Sequence, residues 1–418
     1  MTTLKLNKDV FLLPIAQKVI VYFPLKGAFF EIDANTANKL NRYLCGENIE
    51  IDPILEKNLK KIEEISDTPI SSSKINLNHV VFLLTQKCNL SCTYCYAHDS
   101  HSGESMPLIM IKRVVDYVFK KKGSKKFQFI GGGEPTAEWD LFREAVTYIR
   151  NKSKKAIISL TTNCTLLNEE RIIWLKSNDV LVSISFDILP SVQNVQRPWN
   201  FKNSFRIANQ NIHLLAKYNF SFRFRTTITL QSSNKLPQMV NYVGKHYPFV
   251  KRIHFEPVSN RTYQDEEFSI LCRNFTKYFL KARQISEGYG ISISSSLTNS
   301  FDRIHERFCN GEFCITPNGN IVACHRISNM NDLNFNYFCY GKVGQNIEID
   351  RLKMSALSKM SSNQLIQCKN CFAKYHCAGG CSYNRLTFSQ SQQDIFCSFM
   401  KNFLIQDLNI ALKGGVYK

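Results

Sequence analysis

The spacing of its cysteines constrains this chain more than any other feature. Cys88, Cys92 and Cys95 form a C-x3-C-x2-C triplet, and eight more, Cys309, Cys314, Cys324, Cys368, Cys371, Cys377, Cys381 and Cys397, lie in the last third. Eleven thiols in this order do not read as a disulfide framework. The N-terminus, MTTLKLNKDVFLLPIAQ, lacks a basic segment followed by a clean apolar stretch, so no signal peptide is expected. No apolar run reaches the roughly 18–20 residues that span a bilayer. The expectation is a cytoplasmic protein with no membrane partner, whose reduced, clustered thiols bind metal.

The 418 residues suffice for two or three domains, and 44% apolar residues exclude wholesale disorder. The formal net charge is +19, with a dense run at Lys120, Lys121, Lys122, Lys125 and Lys126. Such a run is usually a solvated loop after a helix; the alternative is attraction for an acidic peptide or nucleic acid. No nucleic-acid motif accompanies these lysines, so no nucleic-acid partner is expected.

Residues 1–75 read as a small α+β unit, winged-helix-like in its order. Val10–Leu13, Lys18–Phe23 and Ala28–Ile32 are short strands with a turn at Lys26-Gly27. Asp33 caps a helix to about Leu44, a second helix runs from Pro53 to about Ile65, and Ser71–Ser73 reads as a linker. Residues 78–300 alternate strands and helices. The strands are Val80–Leu84, Lys126–Ile130, Ala156–Leu160, Leu181–Phe186, Phe222–Thr229 and Arg252–Phe255. Leu108–Lys120 and Leu141–Arg150 are helices between them. This rhythm implies a parallel sheet with helices outside, open or closed into a barrel, and a site at the carboxyl ends of the strands, where the triplet lies. Residues 301–418 lose the rhythm and, with short helical segments, read as a metal-nucleated domain.

Three thiolates on a tight loop can hold three irons of a [4Fe–4S] cube and leave the fourth open to a small molecule, whereas four thiolates close a cluster for electron transfer. The alternative for the triplet is a zinc site with a remote fourth ligand, and for the Cys368–Cys381 run a zinc ribbon.

CNLSCTYC, Cys88 to Cys95, resembles the signature of radical S-adenosylmethionine (SAM) enzymes. The resemblance implies a partial (β/α)6 TIM-like barrel in which the open iron chelates SAM and reductive cleavage gives a 5′-deoxyadenosyl radical that removes a substrate hydrogen atom. Other segments follow in the family's order: Gly131-Gly132-Gly133-Glu134-Pro135 resembles its GGE motif, Thr162-Asn163-Cys164-Thr165 its TNGT segment with Cys164 in place of Gly, and Phe255-Glu256-Pro257-Val258 its adenine-contacting strand end. By resemblance Tyr94, Gly132, Gly133, Glu134, Ser185, Arg197 and Val258 contact SAM, with Glu134 toward its ammonium and Ser185 and Arg197 toward its carboxylate and ribose.

The later cysteines resemble the SPASM extension of these enzymes, which carries two auxiliary [4Fe–4S] clusters and so three in all. Carried over, Cys309, Cys314, Cys324 and Cys381 ligate the first, and Cys368, Cys371, Cys377 and Cys397 the second. Cys45, Cys164, Cys272 and Cys339 remain as ordinary buried thiols. The N-terminal unit resembles the peptide-recognition domains of enzymes that mature ribosomally made peptides, which bind a leader along a strand edge. The implied function is a radical oxidative cross-link in a precursor peptide, with an external electron donor such as flavodoxin or ferredoxin. The alternatives are formylglycine formation, as in sulfatase-maturing enzymes, and mass-silent epimerisation. Sulfatase-maturing enzymes carry an Asp after the cysteine corresponding to Cys324, where this chain has His325. No catalytic acid or base is assigned by the resemblance.

Overall fold

Period-two alternation near the N-terminus builds a small antiparallel sheet. In the computed structural model, which describes residues 9–68, 70, 74–98, 103–200, 202–259, 263–299 and 303–414, its strands are β1 (Phe11–Ile15), β2 (Lys18–Phe23) and β3 (Ala28–Asp33), ordered β1-β2-β3. The linker expected at Ser71–Ser73 lies outside the described residues. Asp33 caps the helix Ala34–Leu44 by accepting from the N–H groups of Asn35 and Thr36, and Asp52 caps Pro53–Glu64 in the same way. One face of the sheet, Val21 and Phe23, packs on Leu40, Leu55 and Leu59 of these helices. The other, Leu13, Ile20 and Tyr22, packs on Ala373, Leu404 and Leu408 from the far end of the chain. Polar contacts reinforce that docking: Tyr22 hydrogen-bonds His376 Nε2, and Asp9 accepts from Lys374 Nζ at 2.8 Å and Tyr375 OH at 2.6 Å.

The expected parallel strands follow as β4 (His79–Phe82), β5 (Lys126–Phe129), β6 (Ile157–Thr162), β7 (Val180–Ser185), β8 (Phe222–Ile228), β9 (Arg252–Pro257) and β10 (Ser292–Ser294), side by side in chain order. Helices such as Leu108–Phe119, Trp139–Lys152 and Leu236–His246 connect them. Phe127, Phe129, Ile158, Leu160, Ile184, Phe224, Ile253 and Phe255 face these helices and are buried, each contributing about 1.5–3 kcal/mol. The alternate residues face the open concave side, where a partial barrel has its lumen.

The sheet does not stop near residue 301. β11 (Phe313–Ile315) pairs in parallel with β4, and β12 (Asn320–Val322), β13 (Cys339–Val343) and β14 (Ile347–Ile349) continue antiparallel, giving eleven strands. The last third also contains a long helix, Gln390–Lys413, where only short ones were expected. Its apolar residues serve two neighbours: Phe399 and Phe403 pack on Phe275 of the helix Asp265–Gly288, and Leu404 and Leu408 on the N-terminal sheet. Two apolar faces blur the single stripe by which a helix is read from sequence. Cys45 also departs from expectation: it is exposed, because it sits just past the last turn of Ala34–Leu44. Of the lysine run, Lys125 is buried, with its ammonium on Asn78 Oδ1 at 2.9 Å. No helix among the described residues is long and apolar enough to cross a membrane.

The Tyr22 ring is the centre of the N-terminal docking. Tyr22→Ala should cost about 3–5 kcal/mol, seen as a lower urea midpoint and as early tryptic release of the first 70 or so residues.

Candidate active site

The triplet occupies the loop leaving β4, and the loop is sewn to its surroundings by backbone bonds. Ser91 N–H donates to Pro198 O and Thr93 N–H to Gln196 O, both at 3.0 Å, while Gly133 N–H donates to Thr85 O at 2.7 Å and Glu134 N–H to Lys87 O at 2.8 Å. The glycines of the GGE segment are required by this contact. A Cβ on Gly133 would stand 2.1 Å from the Lys87 carbonyl oxygen, and one on Gly132 (φ +68) 2.9 Å from that of Thr85. Burial pushes Cys88 up to about 12 and Cys92 up to about 11. Thiols held this way are neutral until cations compensate them, which is what the irons of a cluster supply.

Glu134, 3% exposed, is already engaged. Its Oε1 accepts from Thr136 N–H at 3.0 Å, Thr136 Oγ1 at 2.5 Å and Thr162 Oγ1 at 2.6 Å, and its Oε2 from Asn163 N–H at 2.7 Å. Burial raises its pKa. The carboxylate therefore ties the GGE loop to the end of β6, leaving one acceptor site on Oε2 for an ammonium. Cys164 in that β6 loop has φ +65, the region that favours glycine and the reason a TNGT segment suits this turn.

Arg197 is likewise committed. Asp187, fully buried, accepts from Arg197 Nε at 3.0 Å, Gln196 Nε2 at 2.9 Å, Tyr94 OH at 2.9 Å and Thr227 N–H at 3.2 Å. The Arg197 guanidinium also lies 5.3 Å from the centre of the Tyr94 ring. Burial opposes its charge, but Asp187 and then Tyr94 hold it above the ordinary arginine value. Asp187 thus fixes two side chains that the sequence reading assigned to SAM. Asp187 closes the segment Ser183-Ile184-Ser185-Phe186-Asp187, where nothing local in the sequence marks it as the buried partner of Arg197. Ser185 ends β7, half-buried, and Val258 follows β9, packed against the core.

The later thiols gather in two sets. Burial and then the nearby Glu312 raise Cys309, Cys314 and Cys324; Cys381 lies near Cys309 and Cys324, and Cys324 near Cys314. Cys368, Cys371, Cys377 and Cys397 form the other set and line a cavity of about 210 Å³. Ala378, Gly379 and Gly380 all have left-handed φ between Cys377 and Cys381; Cys381 lines the same cavity and also lies near Cys309 and Cys324, so it stands between the two sets. Among the described residues no three His, Cys, Asp or Glu side chains converge as a mononuclear metal site needs.

Three further residues complete the site. Glu312 accepts from His325 N–H at 2.7 Å and pairs with His325 Nδ1 at 2.8 Å. Burial would raise the Glu312 carboxyl, but His325 brings it below its ordinary value. Tyr96 touches the His325 ring edge-on at 6.0 Å and lies near Cys95, Cys314 and Cys324, between the triplet and the first later set. It is 45% exposed by area, yet desolvation raises its hydroxyl, the behaviour of a side chain lining a concave wall. Tyr96 and Glu312 carry no signal in a single sequence beyond their closeness to cysteines.

A family profile described as the radical SAM superfamily matches residues 82–241. A cysteine-type anaerobic sulfatase-maturating enzyme of Clostridium novyi (strain NT) is 24% identical over 368 residues, covering 80% of this chain and 96% of that protein. An uncharacterized protein of Methanocaldococcus jannaschii, MJ0907, is 31% identical over 213 residues, covering 48% of this chain and 72% of the other. The crystal structure of Streptococcus suis SuiB bound to precursor peptide SuiA shares the fold over 93% of this chain and 97% of that one, with a TM-score of 0.53 at 15% identity.

Two substitutions test the geometry. Gly133→Ala should force the GGE and cysteine loops apart and lower the iron content of anaerobically purified protein. Asp187→Asn removes the counter-charge of a buried arginine and should cost about 3–5 kcal/mol in chemical denaturation, with weaker SAM retention in equilibrium dialysis.

Proposed function

The chain belongs to the radical SAM superfamily, and on that premise we propose that it is a maturase that installs an oxidative cross-link in a ribosomally made precursor peptide. The observation that carries the peptide reading is the N-terminal sheet. Both its faces are covered, yet the outer edge of β3 pairs with no strand among the described residues. An extended leader adding to that edge would gain main-chain hydrogen bonds. At the other edge Pro14 in β1 lacks a donor, which leaves β3 as the better template. The fold shared with SuiB, a structure solved with a precursor peptide, supports the same reading.

Cys88, Cys92 and Cys95 would hold the SAM cluster, and the two later sets two auxiliary [4Fe–4S] clusters. Bound there, the first cluster and SAM supply a 5′-deoxyadenosyl radical that takes one hydrogen atom from the peptide. The residues around them orient SAM. The backbone of Gly132 and Gly133 and the remaining site on Glu134 Oε2 would receive its ammonium. Ser185 and Arg197 would hold its carboxylate and ribose region, Val258 would pack on its adenine, and Tyr94 would complete the cofactor contacts. In this reading His325, held by Glu312 beside Cys324, would take the proton released as the peptide radical is oxidised. Clusters held by the two later cysteine sets would supply a route for the remaining electron, and the expected external partner is a carrier such as a flavodoxin or ferredoxin.

A second reading, formylglycine formation on a sulfatase, rests on the similarity to the Clostridium novyi enzyme. The N-terminal unit and His325 in place of an Asp speak for the first. The mass of the short peptide encoded nearest the gene, after anaerobic co-expression, separates them. Loss of two hydrogens that disappears with Cys88→Ala is expected. An unchanged mass with solvent deuterium incorporation would indicate epimerisation. Conversion of Cys to formylglycine in a sulfatase-derived peptide would establish the second reading.

A further inference from the structure

The amino-terminal ends of the barrel strands, opposite the thiol triplet, form a second mouth of unusual charge. On the concave face lie Lys126 at the start of β5, Ile157 at the start of β6, Leu181 in β7, Arg223 and Arg225 in β8, and Arg252 at the start of β9. Their neighbours in sequence, Phe127, Ile158, Val182, Phe224 and Ile253, are buried against the helix layer, which fixes the alternation. Register makes the group contiguous: Lys126 stands beside Ile157, Ser183 beside Arg223, and Arg225 beside both Ser185 and His254. Lys126, Arg223 and Arg252 are exposed, as are Leu181 (54%) and Ile157 (39%).

These cations have no carboxylate of their own. Among the described residues Arg223 donates to Ser183 Oγ at 2.8 Å, and neither it nor Lys126, Arg225 or Arg252 forms an ion pair. Burial lowers the Arg223 pKa and the charges of Arg225 and Arg252 lower it further, so the arginines repel one another. Of the acids at or near this face, Glu256 is held by His254 Nε2 at 3.2 Å and Ser296 N–H at 3.0 Å. Glu312, beside the β4 end of the mouth, is held by His325 Nδ1 at 2.8 Å, and Asp179, before β7, forms no ion pair with these cations among the described residues. Packing unpaired arginines side by side costs free energy, which an incoming anion recovers. Two exposed aliphatic side chains beside them suit a peptide better than a bare phosphate.

We propose that this lower mouth is a carboxylate-binding site that takes an acidic stretch of the peptide substrate. The proposal rests on the reading of the substrate as a peptide. Strands advance about 3.3 Å per residue, so the mouth lies roughly 15–20 Å below the carboxyl ends of the strands. An extended peptide covers that distance in about five residues. The acidic residues therefore stand about five positions from the one that loses hydrogen.

Fluorescence anisotropy with the reconstituted, full-length protein tests this without turnover. The probes are a labelled aspartate-rich leucine-containing peptide amide, its asparagine counterpart as the amide, and that counterpart as the free acid. The aspartate peptide should bind at least about tenfold more tightly than the asparagine amide. The difference should vanish in Arg223→Gln/Arg252→Gln at unchanged iron content and circular dichroism. Lys126→Gln/Arg252→Gln repeats the test without touching the Ser183 contact. Tight binding of the free acid would support the site and identify a terminal carboxylate as its ligand. Equal affinity for the aspartate and asparagine amides, or a preference that survives both double variants, would overturn it. So would a single-stranded oligonucleotide that displaces the aspartate peptide at lower concentration through the same arginines. Aspartate binding with no change in precursor mass would leave the site standing and count against the maturase reading alone.

Discussion

The site depends on one short strand being hydrogen-bonded on both sides. β4 pairs with β5 through Val81 and Gln128 and with β11 through Val81 and Cys314. Its central residues Val80, Val81 and Phe82 are buried on both faces, as a strand in the middle of a parallel sheet must be. The loop it feeds carries the triplet, and the strand beside it carries Cys314. This one register brings together thiols far apart in the chain, and Tyr96 fills the space between them. A slip by one residue would turn Cys314 away from the site and Phe313 into it.

Two buried carboxylates then hold the loops in place. Glu134 and Asp187 are each met by several protein donors. An ionised group in a poorly solvated position is tolerable only when so answered. The arrangement spends these charges on preorganisation, since Tyr94 and Arg197 are locked against Asp187 before any ligand arrives. The same economy appears in Glu312, whose bonds to His325 fix that ring at the edge of Tyr96.

How much of this was legible in the sequence follows the range of each interaction. The strands β1 to β9, the cap Asp33 and the glycine loop are local, and propensity, spacing and turn chemistry reveal them. Cys164 in the TNGT segment was visible as a departure, and its left-handed φ gives the physical reason for the family's glycine. What the sequence hid is long-range. That β11 joins β4 depends on pairing across the whole barrel domain. That Glu134 is saturated depends on the end of β6, and that Arg197 is committed depends on an aspartate ten residues earlier whose burial no local pattern announces. The arginines of the lower mouth were in plain view as the alternation Phe-Arg-Phe-Arg in β8, but their missing partners become evident only once register places Arg252 and Lys126 on the same face.

The lumen is therefore polarised along its length. At the carboxyl ends the charges are paired: Asp187 with Arg197 and Glu256 with His254. At the amino ends of β5, β8 and β9, Lys126, Arg223, Arg225 and Arg252 form no ion pair among the described residues. A peptide entering such a lumen is sorted before any chemistry, because lysine or arginine side chains at the mouth would meet like charge in a partly desolvated space. An acidic residue seated there also sets how far the chain can advance, and so which residue reaches the triplet. If the leader is held on β3 while the acidic stretch is held at the mouth, two weak attachments fix the register of the residue between them. The second attachment then gains from the local concentration that the first creates. On that proposal substrate choice would come from where the peptide is anchored, and the chemistry at the triplet would need no discrimination among side chains.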